Sequence, residues 1–437
     1  VRINDGKVSL GGLWLAAKLS DQTSTILTAK PLFEVNGGDV STTTLYGGNN
    51  GGAPQPQFVF NGGVTRVTGT ASDAMRLAIG AGVQSKMTIK GGLVTVSNTT
   101  IRLAENNSSN RGQLVLNGGR LVTRGINRQG TGIGEVYFNG GVLQPCVNMT
   151  LTNLSAASVQ AGGFVADVPT GLTLTVMQPL VHDDSTLGAT PDGGVIKTGA
   201  GTLVLGGVNT YTGPTAISGG VLRVTGTLAA SGLALSDGTS LSLADGACTA
   251  FAPSVEASGL VSVELDIATD GSANDTVALA AGFTGTVRVR LTSLGTGLPF
   301  VKPGRFALFT FSGTAPVTTG WTVDGVPAVF EVTGSTVDLV IGAAGGFAEW
   351  INTAGGAWDN AENWSAAPGA NVLFGTAVTA PAVIDTGSGA SFGYMAVDSA
   401  NGYTWSGGTL TVGDAAVARG THTAAAALNL PDVSVVN

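Results

Sequence analysis

The sequence predicts an all-β fold in which short strands stack as the coils of a solenoid. Glycine supplies 68 of the 437 residues, about twice its usual share. Gly-Gly pairs recur between Gly11 and Gly219 at a mean spacing of about 26 residues, which indicates a repeat architecture. Charged residues make up only 11% and hydrophobic residues 43%, so the composition excludes a disordered chain. No glycine period of three and no apolar run of 18 residues occurs, which excludes collagen and a membrane-spanning helix.

The flanks of the Gly-Gly pairs justify the individual coils of residues 1–235. Residues 58–64, 114–120 and 136–142 share an alternating run, an Asn, two glycines and a second run, and residues 87–93 are a variant. Alternating runs of this kind are typical of strands, and Gly-Gly lets the backbone turn a corner at positive φ. A unit of about 26 residues cannot bury its own apolar face, so neighbouring coils must stack at a spacing of about 4.8 Å.

The asparagine before the glycines recurs at Asn36, Asn61, Asn117 and Asn139. Amide side chains at equivalent positions of stacked strands hydrogen-bond to one another. We therefore predict that these four residues form a structural ladder along the solenoid.

Two further β-rich modules are predicted after the coils. Residues 236–344 lose the Gly-Gly rhythm and contain strand-like runs at 261–267, 287–291, 306–311 and 337–341. These runs are consistent with antiparallel strands of a β-sandwich-like module or with distorted coils. Residues 345–437 are predicted to form an acidic β module, in which 415–430 could be a short helix, a loop or the start of a strand.

One segment carries a family resemblance. Residues 193–226 include Gly199, Gly201 and Leu203, followed by Asn209-Thr210-Tyr211-Thr212-Gly213. This pattern resembles the autotransporter-associated β-strand repeat, also called the passenger-associated transport repeat. The resemblance implies a right-handed parallel β-helix on a bacterial secreted or surface protein. Residues 347–364 are similar to a module that often opens a new repeat block in such proteins.

Two groups of polar residues are candidates for a chemical site. The range 182–184, His-Asp-Asp, could be an acid/base or metal site, although a solvated loop is the commoner meaning of such a cluster. Asp266, Asp270 and Asp275 could meet a calcium ion but lack the spacing of an EF-hand loop. Paired carboxylates at matching positions of neighbouring coils, as a glycosidase would need, do not occur. We therefore expect no catalytic residues, no metal, no cofactor and no enzyme activity.

The tryptophans and cysteines have structural and functional interpretations. Trp350, Trp358 and Trp364 could form an aromatic platform for sugars, but core packing is favoured. Cys146 and Cys248 are the only cysteines, and two buried thiols are favoured over a disulfide.

Charge is sorted along the sequence. Residues 1–150 hold 13 basic and 7 acidic residues, whereas residues 345–437 hold 7 acidic residues and one base, Arg419. The chain also begins and ends in strand-like sequence, at 1–4 and 433–437, where open sheet edges would pair with other chains. Opposite charge at the two ends suits head-to-tail contact. The predicted assembly contacts are Arg2, Lys7, Lys18, Asp414 and Asp432.

These observations predict an extracellular or cell-surface structural protein that associates head-to-tail with copies of itself into a filament or layer. The alternative is an adhesin rod that binds glycans or host surfaces, and the third possibility is a polysaccharide-active enzyme. Nucleic acid is not expected as a partner because the isoelectric point is about 4.7.

Overall fold

The computed structural model describes residues 1–17, 30–49, 55–72, 74–79, 82–105, 107–229, 232–342, 347–430 and 432–435. They form two compact units, Val1–Leu241 and Ser242–Asn437. Regular structure in the described residues is β apart from one four-residue α-helix and one short 3-10 turn. No described helix has the length and apolar character needed to cross a membrane. The all-β, parallel-solenoid prediction is confirmed.

Unit 1 consists of short strands, each two to six residues long. They are β1 Arg2–Ile3, β2 Lys7–Leu10, β3 Leu13–Ala17, β4 Leu32–Val35, β5 Asp39–Thr42, β6 Leu45–Asn49, β7 Gln57–Phe60, β8 Val64–Val67, β9 Met75–Leu77, β10 Gln84–Ile89, β11 Leu93–Val96, β12 Ile101–Leu103, β13 Arg111–Leu116, β14 Arg120–Thr123, β15 Ile126–Arg128, β16 Ile133–Phe138, β17 Val142–Pro145, β18 Met149–Leu151, β19 Ala156–Val159, β20 Phe164–Asp167, β21 Thr173–Val176, β22 Leu180–His182, α1 Asp184–Leu187, β23 Val195–Thr198, β24 Thr202–Leu205, β25 Val208–Asn209, β26 Thr215–Ile217, β27 Val221–Val224, β28 Thr227–Leu228 and β29 Leu233–Leu235; β30 Ser240–Ser242 lies at the unit boundary.

The strands of unit 1 form three faces of a solenoid. The first face has the order β1-β4-β7-β10-β13-β16-β19-β22, and the second runs from β2 through β5, β8 and their successors to β29. The third face is built by β3, β6, β9, β12 and β15 and, in later coils, by β18, β21, β24 and β27. The pairs recorded between these strands are parallel, as successive coils of one solenoid must be.

The interior of unit 1 follows from the alternation of side chains. In β7, β13 and β16 every second residue is buried, because successive side chains of a strand point to opposite faces. Residues in register therefore stack in rows inside the solenoid. One row contains Phe33, Phe58, Met87 and Leu114, each 1% exposed or less.

The Gly-Gly corners account for part of the high glycine content. Gly63 and Gly92 have φ values of +69° and +70°, which favour glycine. A Cβ on Gly92 would also overlap the carbonyl oxygen of Gly63 in the coil below. Gly63 and Gly92 are thus required both by their own backbone and by the close approach of the neighbouring coil.

Unit 2 contains longer strands. They are β31 Ala250–Ala257, β32 Leu260–Ile267, β33 Thr276–Leu279, β34 Thr286–Ser293, β35 Leu298–Pro299, β36 Gly304–Thr310, β37 Thr322–Val323, β38 Ala328–Thr333, β39 Thr336–Ile341, β40 Phe347–Glu349, β41 Gly355–Ala357, the 3-10 turn Ala361–Asn363, β42 Asn371–Phe374, β43 Ala382–Asp385, β44 Gly389–Asp398, β45 Tyr403–Ser406, β46 Thr409–Arg419, β47 Thr423–Ala424, β48 Leu428–Asn429 and β49 Asp432–Val435.

Parallel pairing dominates unit 2 as well. β32 and β34 pair in parallel over eight residues, and β33 pairs in parallel with β36. The sandwich-like alternative with antiparallel strands is therefore wrong for the pairs β32-β34 and β33-β36. It applies to β36-β39-β38, which form an antiparallel meander. Glycine and aspartate turns occur both at hairpins and at coil corners, so the sequence did not separate the two arrangements.

The second half of unit 2 is also built from stacked parallel strands. One sheet has the order β40-β42-β44-β46-β48 and the other has the order β41-β43-β45-β47. Aromatic side chains fill the space between them, and Trp350, Trp364, Phe374 and Tyr403 are at most 3% exposed. The segment 415–430 contains the end of β46 and the short strands β47 and β48, so it forms strands rather than a helix.

Candidate functional site

The repeat-like segment forms a hydrogen-bonded corner that joins three coils of unit 1. Asn209 is 1% exposed and its Oδ1 accepts from the backbone N–H of Leu180 in the preceding coil at 3.0 Å. Its Nδ2 donates to the carbonyls of Gly207 at 2.9 Å and Thr227 at 3.0 Å, the latter in the following coil. An amide can do this because it carries both donors and acceptors.

The other motif residues complete the corner. Gly199 turns at a φ of +71°, beside Gly201, and Leu203 lies in the core. Thr210 donates its backbone N–H to the carbonyl of Leu180 at 2.9 Å.

The ring of Tyr211 is fully buried and its hydroxyl lies 2.6 Å from Oγ1 of Thr215. Burial raises the pKa of Tyr211 to about 12.

Asp192 organises the end of this motif, and the sequence analysis did not identify it. Its Oδ1 accepts from the backbone N–H groups of Gly194 at 2.8 Å and Gly213 at 2.9 Å. Its Oδ2 accepts from the backbone N–H of Thr212 at 2.8 Å. Burial acts to raise the pKa of Asp192, but these hydrogen bonds together with His182 hold it below its usual value. Its position directly before the Gly193-Gly194 pair was the available signal.

His182 closes the network on its outer side. Nδ1 lies 2.8 Å from Oδ2 of Asp192 and Nε2 lies 2.9 Å from the carbonyl oxygen of Gly188. The hydrogen bond to Asp192 is the main cause that raises the pKa of His182. Asp183 accepts from Gln160, Ser185 and Thr186, whereas the side chain of Asp184 is 91% exposed. The cluster therefore stabilises the α1 loop.

Lys197, in the same segment as the motif, is buried inside the solenoid. Its register position in β23 lies between Ala166 and Ile217, which face the core. The ammonium donates to the carbonyls of Thr198 at 3.3 Å, Gly199 at 2.8 Å and Gly219 at 2.7 Å. Burial lowers the pKa of Lys197 to about 8. The side chain thus supplies donors to corner carbonyls of two coils.

The asparagine ladder is present on the first face of unit 1, with one interruption. Nδ2 of Asn61 donates to Oδ1 of Asn36 at 2.7 Å, and Asn36 donates to Asn4 at 2.7 Å. Asn139 donates to Asn117 in the same way. Lys90 occupies the equivalent position between Asn61 and Asn117. Its backbone N–H donates to the carbonyl of Phe60, the residue before Asn61, and the backbone N–H of Asn117 donates to the carbonyl of Ile89, the residue before Lys90.

The predicted assembly contacts have different environments. Arg2 is already paired with Glu34, whereas Lys7 is exposed. Asp414 is exposed in β46, and Asp432 lies beside it in register in β49. Lys18 lies outside the described residues.

The remaining candidates have structural roles. Trp350 and Trp364 are buried and pack edge to face with centroids 5.0 Å apart, and Trp358 packs against the same cluster, so the exposed-platform alternative is wrong. Cys146 and Cys248 are free, and both are half-buried rather than buried.

The three aspartates do not form a metal centre. Asp275 accepts from the backbone N–H groups of Thr249 and Asp266, both at 2.7 Å, and Asp270 bonds to Ser272. Burial raises the pKa of Asp275 to about 6. Across the described part of the chain, no group of three His, Cys, Asp or Glu side chains could hold a metal ion.

Comparison with known proteins agrees with the geometry of the corner. Residues 195–224 match the family model of the passenger-associated-transport-repeat. This range contains Lys197 and all eight predicted motif residues, from Gly199 to Gly213. No curated protein and no solved structure matches the chain.

Proposed function

We propose that this chain is an extracellular structural protein that associates with copies of itself. Residues 195–224 match the passenger-associated-transport-repeat, which is typical of secreted or surface-exposed autotransporter passengers. The observation that carries the proposal is the edge strand β38 in unit 2. Among the described residues β38 has a strand partner on one side only, β39. An unpaired strand edge offers backbone donors and acceptors to another chain.

The side chains of β38 strengthen this proposal. Val329 is 57% exposed and Val332 is 43% exposed. Natural edge strands are usually protected by charged side chains, proline, a bulge or a covering loop. The only charged side chain among the six residues of β38 is Glu331, and Arg305 already pairs with it. β38 pairs with β39 over six residues in continuous register, so no bulge interrupts it. A second copy of the same strand is a suitable occupant, because a two-fold axis lets one surface pair with itself.

The test compares two exposed valines. We expect the wild-type chain to show concentration-dependent association by size-exclusion chromatography with light scattering. V329K places a cation on the edge and should shift the protein to monomer over the same concentration range. V317K is the matched control, because Val317 is 74% exposed outside any strand and the charge change is the same. A wild type that stays monomeric at every concentration, or equal effects of both variants, would contradict the proposal.

Adhesion to a glycan is the second candidate function. It is favoured by a groove of about 570 Å³ on the first face of unit 1, whose walls carry amide and lysine side chains. Self-association through β38 and adhesion through this groove use different surfaces and can be tested separately. We propose no catalytic role for either surface.

A further inference from the structure

The groove on the first face of unit 1 arises from three parallel rows of outward side chains. Its floor is the row Val59, Thr88 and Val115, which are in register on β7, β10 and β13. These side chains are short, whereas the rows on either side carry long amide and lysine side chains. A groove therefore runs along the solenoid axis, perpendicular to the strands.

The first wall contains Gln57, Lys86 and Gln113, which are in register with one another. The second wall follows the asparagine ladder and contains Lys90, Asn117, Asn139 and Gln160. The lining spans the coils from β7 to β19, which corresponds to about 19 Å at about 4.8 Å per coil. That length accommodates several consecutive sugar residues of an extended polysaccharide.

Tyr137 lies in the floor row, next to Val115, and is larger than the other floor residues. Its hydroxyl lies 3.1 Å from Oε2 of Glu135, to which Gln113 also donates at 2.9 Å. These contacts hold the phenol ring in place on the groove surface. Aromatic rings bury apolar surface while their polar tip stays hydrated, which suits the mixed surface of a sugar.

The electrostatics of the groove favour an anion. Lys86 and Lys90 lie on opposite walls and are both exposed. Neither ammonium forms an ion pair with another residue in the part of the chain that the structure describes. The lining contains no Asp or Glu. The nearby Glu135 is already neutralised by Arg111, which contacts both of its carboxylate oxygens at 2.9 and 3.1 Å. A groove lined by one sign of charge raises the local concentration of ligands of the opposite sign.

We propose that this groove binds an extended acidic polysaccharide, with Lys86 and Lys90 contacting its anionic groups from the two walls and the amide side chains contacting its hydroxyls. The shared chemistry is a polyanionic sugar chain, whether its charge comes from carboxylates or sulfates. This inference gives the adhesion candidate its site and does not depend on self-association through β38.

The experiment measures binding of the full chain to polygalacturonate, dextran sulfate and neutral dextran by affinity electrophoresis and biolayer interferometry. We expect binding to one or both of the acidic polymers, not to dextran, and loss of affinity as salt rises because the contacts are exposed. K86Q/K90Q should weaken binding about tenfold or more. K30Q/R124Q is the matched control, since both cations are exposed outside the groove and the net charge changes equally; it should change affinity less than twofold.

Several outcomes would overturn the proposal. They are the absence of binding to both acidic polymers, equal losses in the two double variants, and equal binding to duplex DNA, which would indicate unspecific attraction to polyanions. Preference for polygalacturonate over dextran sulfate would assign carboxylates, and the reverse would assign sulfates. Light scattering on the same samples reports self-association, so failure of this inference is distinguishable from failure of the proposed assembly.

Discussion

Asp192 and Thr212 exchange hydrogen bonds across two successive coils of the solenoid. The backbone N–H of Thr212 donates to Oδ2 of Asp192 at 2.8 Å, and the backbone N–H of Asp192 donates to Oγ1 of Thr212 at 3.1 Å. The two residues are 20 positions apart in the chain. This reciprocal pair fixes the Thr-Tyr-Thr-Gly segment of the repeat against the loop that precedes it.

Replacement of Asp192 by Asn should destabilise unit 1. The Asp192 side chain is fully buried, and both carboxylate oxygens accept from backbone N–H groups. The NH2 group of an asparagine would face backbone N–H groups that now donate to a carboxylate oxygen. Those buried N–H groups would then have no acceptor. We expect a loss of about 2–4 kcal/mol in the free energy of unfolding, measured by urea denaturation.

The control for this variant lies in the same loop. Asp184 has the same chemistry, but its side chain is 91% exposed, so Asp184→Asn should change the free energy of unfolding by less than about 0.5 kcal/mol. Equal losses in both variants would show that Asp192 is not the organising residue.

The His182–Asp192 pair should make stability depend on pH. The pKa of His182 is raised in the folded state, so its contribution is complete below the unfolded pKa of about 6.5 and is lost as pH rises through the folded pKa. The pKa of Asp192 is lowered, so its contribution is complete above about pH 4 and is lost as pH falls through the folded pKa.

The measurement compares wild type with His182→Gln from pH 4.5 to 9. The difference in unfolding free energy should be largest below about pH 6.5 and should shrink at higher pH. A difference that is constant over this range would contradict the assigned ion pair.

Lys197 should produce a pH dependence at alkaline pH. Its folded pKa is about 8 and its unfolded pKa is 10.5, so the unfolded chain binds more protons between these values. The free energy of unfolding of wild type should therefore rise with pH in this window, by up to about 3 kcal/mol relative to Lys197→Met. Lys7→Met is the control for removal of a lysine, because Lys7 is exposed, and it should change the free energy of unfolding by less than about 0.5 kcal/mol. An unchanged slope in Lys197→Met would mean that the ammonium is not desolvated.

The sequence predicted those features of the fold that depend on local patterns. The Gly-Gly spacing located the corners, and the alternation in runs such as 58–60 and 114–116 located the strands and their buried residues. The position of Asp192 before a Gly-Gly pair marked it as a corner residue, but its hydrogen bonds to Thr212 and Gly213 could not be predicted, because they depend on the alignment of residues about 20 positions apart. The groove could not be predicted either, since only the register of Val59, Thr88 and Val115 places three short side chains in one row.

Lys90 gives a last prediction, because it interrupts the asparagine ladder at the wall of the groove. Its neighbours in the ladder are Asn61 and Asn117, which hydrogen-bond to Asn36 and Asn139 respectively. Lys90→Asn would supply an amide at the missing position and should add about 0.5–1.5 kcal/mol to the free energy of unfolding. Lys86→Asn removes the same charge from the opposite wall. There Gln57 and Gln113 are the register neighbours and no asparagine ladder exists among the described residues, so this variant should not raise the free energy of unfolding.

If the proposed groove binds acidic polysaccharide, both variants should also bind it more weakly than wild type. A Lys90→Asn variant that is more stable but binds more weakly would therefore show that Lys90 contributes to ligand binding and lowers the stability of the stacked coils. A less stable variant would show that the ladder does not extend through this coil.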